Sequence, residues 1–187
     1  MRIIGGKFKG KKILQPKDKE TRPLKDLAKE SIFNVINHSN KFRIDIKNSI
    51  VLDLFAGVGS FGLECLSRGA KHVTFVEKYN GVLPILKSNL NNLNIREKYE
   101  IIEEDLISNY FLEKIQLKFN IIFLDPPYKE KRLSNIIDNI FQEKILNKDG
   151  VIIVHRHKRE DDEFSKNFRI LDEKKYGISK IIFGNLN

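Results

Sequence analysis

The segment Ile50-Val-Leu-Asp53-Leu-Phe-Ala-Gly57-Val-Gly59-Ser-Phe-Gly62 joins a short apolar run to a glycine-rich turn. The apolar run has the length of a buried strand, and a helix-like stretch follows the turn. The three glycines fit the G-x-G-x-x-G pattern found where a strand passes into a helix in nucleotide-binding α/β proteins. Tight turns without any ligand use the same pattern. The segment therefore predicts an α/β fold, and a nucleoside cofactor only if other residues support one.

The same order of strand, turn and helix repeats along most of the chain. Strands are predicted at residues 50–54, 72–77, 99–103, 121–124 and 151–155, and helices from about residue 24 and at residues 61–67, 82–93, 106–115 and 133–146. Alternating elements of these lengths predict a mostly parallel sheet with helices on both faces. Two further strands, at residues 169–171 and 176–183, are separated by a short turn and must pair antiparallel. We expect a doubly wound, seven-stranded α/β sheet that ends in a C-terminal antiparallel hairpin.

The amino-terminal residues differ from the rest in pattern and charge. They predict a small β-hairpin with its turn at Gly5-Gly6 and a bulge at Gly10, followed by a charged loop. The net charge is +9, from 34 basic and 25 acidic residues, and residues 1–30 hold ten of the basic but four of the acidic ones. Scattered surface lysines are the ordinary explanation of a basic protein, whereas this concentration predicts an arm that meets phosphates. We expect residues 1–22 to form a basic extension and residues 23–187 the main domain.

The longest apolar runs are far shorter than the roughly 20 residues that a membrane helix requires. The first residues also lack the apolar core of a signal peptide. We therefore expect a cytoplasmic protein.

Cysteine and histidine offer little for metal chemistry. Cys65 is the one cysteine, so an internal disulfide and a thiolate cluster are excluded, and its helix-like surroundings predict a buried structural thiol. His155 and His157 share one face of a predicted strand and lie among basic residues, where surface histidines are a better interpretation than a metal pair. We predict no bound metal.

Four carboxylates follow successive predicted strands: Asp53, Glu77, Asp105 and Asp125. Because parallel strands end at the same edge of a sheet, these side chains are expected to meet there. A pyrophosphate favours helix N-termini with little competing negative charge. S-adenosylmethionine carries a sulfonium and an ammonium and no phosphate, so the clustered acids favour this cofactor over a nicotinamide dinucleotide.

Two of these acids have more specific expected roles. Glu77 can accept both ribose hydroxyls of an adenosine. Asp105 can accept the adenine amine while Leu106 packs on the ring. Glu103 or Glu104 would replace Asp105 if the strand register slipped.

The tetrapeptide Asp125-Pro126-Pro127-Tyr128 follows an apolar run at residues 120–124 and is the most informative about chemistry. Prolines neither donate to a sheet nor continue a helix, so the loop is rigid and the carboxylate is fixed at a strand end. An acid, a rigid carbonyl and an aromatic ring suit the holding of a flat base that bears an amine. Each residue has an ordinary alternative, since Asp125 could cap a helix and Tyr128 could cover the sheet edge. Together they predict a site of amino-methylation.

Several blocks of sequence resemble one known family. They are Arg22-Pro-Leu-Lys-Asp-Leu-Ala-Lys-Glu-Ser-Ile-Phe-Asn34, Asp53-Leu-Phe-Ala-Gly-Val-Gly59, Leu66-Ser-Arg-Gly-Ala70, Glu77 and Asp125-Pro-Pro-Tyr128, with the opening Arg2-Ile-Ile-Gly-Gly-Lys-Phe-Lys-Gly10. From residue 2 to about residue 155, the chain closely resembles the bacterial 16S rRNA guanine-N2 methyltransferases of the RsmD family. The tetrapeptide is shared with DNA amino-methyltransferases, so the block from residue 22 to residue 34 makes the match specific.

The resemblance implies a Rossmann-like class I methyltransferase that moves a methyl group from S-adenosylmethionine to the exocyclic N2 of a guanine in 16S rRNA. The expected substrate is the small ribosomal subunit or its precursor, and a monomer is the default expectation. We expect catalysis from Asp125, Pro126, Pro127 and Tyr128, cofactor binding from Asp53, Phe55, Gly57, Gly59, Glu77, Asp105 and Leu106, and RNA binding from Lys7, Lys9, Lys11, Lys12, Arg22, Lys25 and Lys29.

The chain departs from the family pattern at a few positions. Val58 stands at a usually small polar position, Leu24 replaces a threonine and Leu27 replaces an arginine, while His155-Arg-His-Lys158 stands where the family commonly has an acid. Three other functions remain open: a DNA adenine-N6 or cytosine-N4 amino-methyltransferase, a nicotinamide oxidoreductase, and an RNA-binding module without catalysis. A nicotinamide oxidoreductase would give the tetrapeptide no role, and an RNA-binding module without catalysis would give the strand-end acids no role.

Overall fold

The computed structural model describes residues 1–16, 24–95, 98–105, 112–127 and 129–187. Its helices are α1 (Asp26–His38), α2 (Ser60–Ser67), α3 (Leu83–Asn91) and α4 (Leu133–Gln142). Its strands are β1 (Ile50–Leu54), β2 (His72–Val76), β3 (Tyr99–Ile102), β4 (Phe119–Leu124), β5 (Leu146–His157), β6 (Phe168–Tyr176) and β7 (Ser179–Leu186). Within these ranges, no helix is long and apolar enough to cross a bilayer.

The strands of the described ranges form one seven-stranded sheet in the order β3-β2-β1-β4-β5-β7-β6. Strands β1 to β5 pair in parallel, whereas β7 runs antiparallel to both β5 and β6. The predicted mostly parallel sheet and its C-terminal antiparallel hairpin are confirmed. The strand order reverses between β1 and β4, and open α/β sheets bind ligands at such a reversal, outside the carboxyl ends of the strands.

The sheet is covered on both faces, so β1 and β4 are buried along almost their whole length. On one face, Phe61 of α2 stacks on Phe33 of α1 and on Phe123 of β4, with ring centroids 5.4 and 4.1 Å apart. On the other face, α4 buries an apolar stripe at helical spacing, Leu133, Ile136, Ile137 and Ile140. The two packed faces hold the central strands rigidly, and with them the loops at their carboxyl ends.

Residues 1–16 are packed onto the domain rather than projecting from it. The predicted hairpin is reduced to one antiparallel bridge, between Arg2 and Lys12. Ile3 and Ile13, on either side of this turn-rich segment, are buried in the main core. The boundary predicted at residue 22 lies outside the described residues, so the division into an extension and a main domain stays a prediction.

Helix α2 fixes this segment in place. Glu64 accepts a hydrogen bond from the N–H of Ile4 at 2.8 Å, and the carbonyl of Ser67 accepts one from the N–H of Lys7 at 2.7 Å. Gly6 has φ 72°, and an added Cβ there would lie 2.0 Å from the carbonyl oxygen of Ser67. The close approach of the two backbones therefore requires glycine at this position.

Some predicted bounds differ from the observed ones. The helix predicted at residues 133–146 ends at Gln142, because the chain turns at Lys144, which has φ 52°. Strand β5 begins at Leu146 rather than at residue 151. Of the helix predicted at residues 106–115, residues 106–111 lie outside the described ranges, and Leu112–Lys114 form a 3-10 turn.

Candidate active site

The carboxyl ends of the central strands border a cleft of about 630 Å³. This volume is typical of small-molecule sites, which span roughly 300–1,000 Å³. The four strand-end acids line it together, as do Phe55, Gly57, Pro126 and Pro127. Leu106 and Tyr128, which the sequence also predicts for this site, lie outside the described residues.

The three glycines of the turn after β1 have different tasks. Gly57 has φ 56° and lies in the wall of the cleft. Gly59 has φ 83°, and an added Cβ there would lie 2.5 Å from Cδ1 of Leu86. An added Cβ at Gly62 would lie 2.2 Å from the ring of Phe75. The second and third glycines are therefore required by the packing of α2, and of the three it is Gly57 that lines the cleft.

Asp53 supports the turn from within the protein. Its side chain is 1% exposed, and its Oδ2 accepts a hydrogen bond from the N–H of Gly62 at 2.9 Å. Burial raises the pKa of this carboxyl well above its ordinary value; the Gly62 hydrogen bond lowers it, and the nearby carboxylates of Asp125 and Glu77 raise it further. Asp53 thus fixes the start of α2 and contributes to the floor of the cleft.

Glu77 is held by backbone N–H groups on both of its oxygens. Oε2 accepts from Gly57 at 2.7 Å, and Oε1 accepts from Lys78 at 2.9 Å and from Tyr79 at 2.8 Å. An ionised carboxylate offers about four acceptor positions. The side chain is therefore fixed in orientation and keeps the capacity to accept a further donor from the cleft.

Asp105 and Phe55 lie at the rim of the cleft. Asp105 forms an ion pair with Lys78 at 3.0 Å, and both side chains are about half exposed.

Phe55 has φ 62°, a backbone conformation that residues other than glycine rarely adopt. Strained residues of this kind concentrate at functional sites.

Asp125 is held by strand β5 directly and by strand β7 through β5. Both strands lie on the side of β4 that faces away from β1. Its Oδ1 lies 2.8 Å from Nδ1 of His155 in β5, and Nε2 of this imidazole lies 2.9 Å from Oγ of Ser179 in β7. Within the described ranges, neither Oδ2 of Asp125 nor the carbonyl oxygen of Pro126 has a hydrogen-bond partner. A carboxylate oxygen and a rigid carbonyl, the two acceptors that the sequence predicts for a base that bears an amine, are therefore both able to accept a hydrogen bond.

The prediction of a surface histidine is wrong for His155, whose exposed fraction is 7%. The side chain is enclosed because β7 pairs with β5 at this point, where His155 lies opposite Ile181. His157, two residues further along, is partly exposed.

Arg156 joins the loop after β4 to the segment after β5. Its Nη1 donates to the carbonyl of Pro127 and its Nη2 to the carbonyl of Glu130, each at 3.1 Å. The side chain is fully buried, and its Nε and Nη2 each lie 2.8 Å from Oδ1 of Asp162. One guanidinium therefore fixes the course of the loop that carries Asp125.

A family model described as "Conserved hypothetical protein 95" matches residues 1–185. The chain belongs to this family. It is the RsmD family, so the resemblance seen in the motifs is confirmed.

The chain is 37% identical to the YlbH protein of Bacillus subtilis over 161 residues, which cover 86% of this chain and 84% of that protein. It is 34% identical to the ribosomal RNA small subunit methyltransferase D of Haemophilus influenzae over 179 residues, which cover 95% of this chain and 90% of that protein. The solved structure of the yhhF protein of Escherichia coli has a TM-score of 0.82 at 28% identity, and the match covers 100% of this chain and 97% of that one.

The cleft of this family member fits S-adenosylmethionine. The cofactor carries two cationic groups and no phosphate, and the lining of the cleft is acidic. Glu77 is oriented and can still accept, and Gly57 leaves room for a nucleoside to approach the backbone. The described ranges contain no cluster of three or more potential metal ligands, and the expectation of no metal stays a prediction.

The basic residues predicted to contact RNA differ in exposure. Lys7, Lys9, Lys11 and Lys12 are exposed on the segment packed against α2, and Lys25 is exposed beside the cleft. Their positions are compatible with phosphate contacts. Arg22 lies outside the described residues.

Lys29 is a correction to the predicted RNA-binding set. Its side chain is fully buried, and its Nζ donates to the carbonyl of Arg2 at 2.5 Å. Nζ also lies 3.4 Å from Asp26 and 3.9 Å from Glu64. Burial lowers the pKa of the Lys29 ammonium, while Glu64 and Asp26 raise it. An ammonium enclosed in this way holds the amino-terminal segment against α1 and cannot reach a phosphate.

Sequence reasoning missed three residues of the site: His155, Arg156 and Ser179. Each is a polar residue at an end of a strand whose neighbouring residues are apolar, and each is buried. The basic run after the apolar residues 151–154 could have indicated His155 and Arg156, because polar groups that continue a buried strand need partners. Cys65 is buried as predicted, and burial raises the pKa of its thiol.

Proposed function

We propose that this protein transfers a methyl group from S-adenosylmethionine to the exocyclic N2 amine of a guanine in 16S rRNA. The observation that carries the proposal is one cleft in which the glycine turn and Glu77 face the rigid loop that begins at Asp125. The name of the Haemophilus influenzae relative supports small-subunit rRNA as the substrate. We expect a cytoplasmic monomer that acts on the small ribosomal subunit or its precursor.

When bound, the cofactor supplies the methyl group, so that the amine lone pair forms the new nitrogen–carbon bond while the electron pair of the carbon–sulfur bond stays on sulfur. Glu77 would accept the ribose hydroxyls, and Asp105 would accept the adenine amine beside Leu106. Gly57 would let the nucleoside lie against the backbone. These roles place the adenosine on the β1–β2–β3 side of the cleft.

The substrate amine would lie on the β4 side. It is a poor nucleophile because its lone pair is delocalised into the ring. Oδ2 of Asp125 and the Pro126 carbonyl would each accept one N–H, which draws the nitrogen towards a tetrahedral geometry and directs its lone pair. Pro127 holds the loop, and Tyr128 would stack on a base swung out of the RNA. Oδ2 of Asp125 would then accept the proton that the methylated nitrogen releases.

The substitution Asp125→Asn tests this chemistry while keeping the size of the side chain. We expect methylation of isolated small subunits, measured with radiolabelled S-adenosylmethionine, to fall by roughly 100-fold or more. Calorimetric affinity for S-adenosylhomocysteine should stay within about threefold, since Asp125 acts on the amine. Asp161→Asn, at an exposed position outside the cleft, is the matched control. Activity retained by the Asp125 variant would remove this residue from the mechanism.

The identity of the target base needs a separate experiment. Methylation of 16S rRNA should be mapped in a strain that lacks the protein and in the same strain after complementation. Loss and return of one N2-methylguanine is the expected result. Transfer to adenine or cytosine amines of duplex DNA, with none to rRNA, would replace the proposal with the DNA methyltransferase alternative.

A further inference from the structure

His155 connects the catalytic loop to the antiparallel end of the sheet. Its Nδ1 lies 2.8 Å from Oδ1 of Asp125 and its Nε2 lies 2.9 Å from Oγ of Ser179. Asp125, His155 and Ser179 all border the cleft, and the side chain of Asp125 is 20% exposed whereas that of His155 is 9% exposed. The contact therefore lies in the wall of the cleft, with the imidazole almost enclosed by the protein.

The chemistry of the partners fixes the proton on this imidazole. An ionised carboxylate only accepts, so Nδ1 must carry a hydrogen to bond with Asp125. Nε2 can then accept from the Ser179 hydroxyl while the imidazole is neutral. Both ring nitrogens are satisfied in this arrangement, as a buried imidazole requires.

We infer that His155 is a positioning residue for Asp125, which binds one carboxylate oxygen and leaves the other directed at the substrate amine. The inference rests on the proposed function for the identity of that amine. A carboxylate at the end of a strand can rotate about two side-chain bonds, and a donor on Oδ1 removes most of that freedom. Ser179 in turn orients the ring.

The arrangement also assigns a path for the proton. The methylated nitrogen gives its proton to Oδ2, and the Nδ1–H of His155 stays on the imidazole throughout. The Nδ1–H bond stabilises the carboxylate before transfer, when its negative charge holds the amine. His155 thereby acts on the reaction through Asp125.

The tautomer can be measured without any activity assay. In nitrogen-15 spectra of the full-length protein, with His155 assigned by its loss in a His155→Asn variant, we expect a protonated Nδ1. A neutral ring with its proton on Nε2 would overturn the inference, because Nδ1 could then not donate to Asp125. This measurement decides the inference even if the protein proves inactive on rRNA, which would be a failure of the proposed function instead.

Kinetics distinguish positioning from a merely structural role. His155→Leu removes the donor, and we expect kcat on small subunits to fall roughly 100-fold, as misplacement of a reacting group does. KM for the subunit and the affinity for S-adenosylhomocysteine should stay within about threefold. His155→Asn keeps an N–H near the position of Nδ1 and should recover most of kcat. His157→Leu makes the same change two residues along the strand and should have no effect.

A kcat of the Leu variant near that of the wild type, or a loss that appears in KM, would overturn the inference. If the Leu variant does not fold, as judged by its thermal transition, Ser179→Ala provides the second test. That variant keeps the imidazole but frees its orientation, so kcat should fall while KM is kept. An unchanged kcat in Ser179→Ala would then overturn the inference and reduce the contact to packing.

Discussion

Asp53 and Lys29 are charged residue types that the fold encloses almost completely, and each holds another part of the protein in place. Asp53 accepts the N–H of Gly62 in the first turn of α2, and Lys29 holds the amino-terminal segment through the carbonyl of Arg2. The motifs that contain them predict a cofactor contact for Asp53 and an RNA contact for Lys29. A sequence motif gives the residue type and the strand end, but whether the side chain points to solvent depends on the layers packed above it.

The raised pKa of Asp53 predicts a pH dependence of stability. The unfolded carboxyl ionises at about pH 4, whereas burial keeps the folded one protonated to a higher pH. The free energy of unfolding therefore falls as the pH rises between these two pKa values. Asp53→Asn keeps an acceptor for Gly62 and removes this loss, so its stability advantage over the wild type should grow as the pH rises above about 4. Urea unfolding of both proteins across that range checks it, with Asp161→Asn as the control.

The buried ammonium of Lys29 predicts a large effect of substitution on stability. Lys29→Met leaves the Arg2 carbonyl and the Glu64 carboxylate without this partner, and we expect a loss of about 3 kcal/mol in the free energy of unfolding. Lys9→Met, at an exposed position in the same basic region, should change it by less than about 0.5 kcal/mol. Urea unfolding measures both. If Lys29→Met changes the free energy of unfolding only slightly and weakens RNA binding, Lys29 belongs to the RNA-binding residues after all.

Among the structural elements, the loop after β4 and strand β5 work as one unit. The prolines restrict the loop, and Arg156 fixes two of its carbonyls from the buried side. The rigid tetrapeptide could be read from the sequence because proline restricts the backbone wherever it stands. The partner of the loop could not, because Arg156 lies 29 residues after Pro127 and 26 residues after Glu130. Its position depends on the register in which β5 pairs with β4 and β7.

Arg156→Lys tests whether this unit matters for activity. A lysine keeps the charge but offers a single ammonium, which cannot serve Pro127, Glu130 and Asp162 at once. We expect kcat to fall by roughly tenfold while affinity for S-adenosylhomocysteine is unchanged, because the β1 and β2 side of the cleft is untouched. Arg159→Lys, at an exposed position after β5, is the control. Equal activity of the two variants would show that the loop keeps its course without the guanidinium.

For the whole molecule, the order of elements and the direction of the strands could be predicted, since periodicity and turn residues are local properties. The meeting of four strand-end acids in one cleft also followed, because parallel strands share an edge. The place of residues 1–16 could not be predicted. A basic, glycine-containing segment indicates an appendage, yet its few apolar residues, Ile3 and Ile13 among them, insert into a core whose other walls lie far along the chain.

This placement determines how RNA binding should be tested. Deletion of residues 1–15 would remove core residues and is not a clean experiment, so the exposed lysines should be replaced instead. With Lys7, Lys9, Lys11 and Lys12 changed to Gln, we expect the slope of log affinity against log salt concentration to fall by about 3. Affinity for S-adenosylhomocysteine should be unchanged. Exposed lysines near the starts of strands β4, β5 and β6 serve as the matched control set: Lys118, Lys144, Lys148 and Lys166. An equal change of the salt slope in both sets of substitutions would show that RNA binds the protein without a preferred surface.

The packing of residues 1–16 also sets an order of events during synthesis. Ile4 bonds to a residue 60 positions later, and Leu14 to one 75 positions later. Residues 1–16 therefore leave the ribosome well before Glu64 and Asn89, and Ile3 and Ile13 remain without their core until α2 and α3 follow. Contacts of such large sequence separation slow folding. During that interval the nascent chain presents its basic segment, still without its packing partners, beside a ribosome whose small subunit contains the 16S rRNA that we propose as the substrate of the finished enzyme.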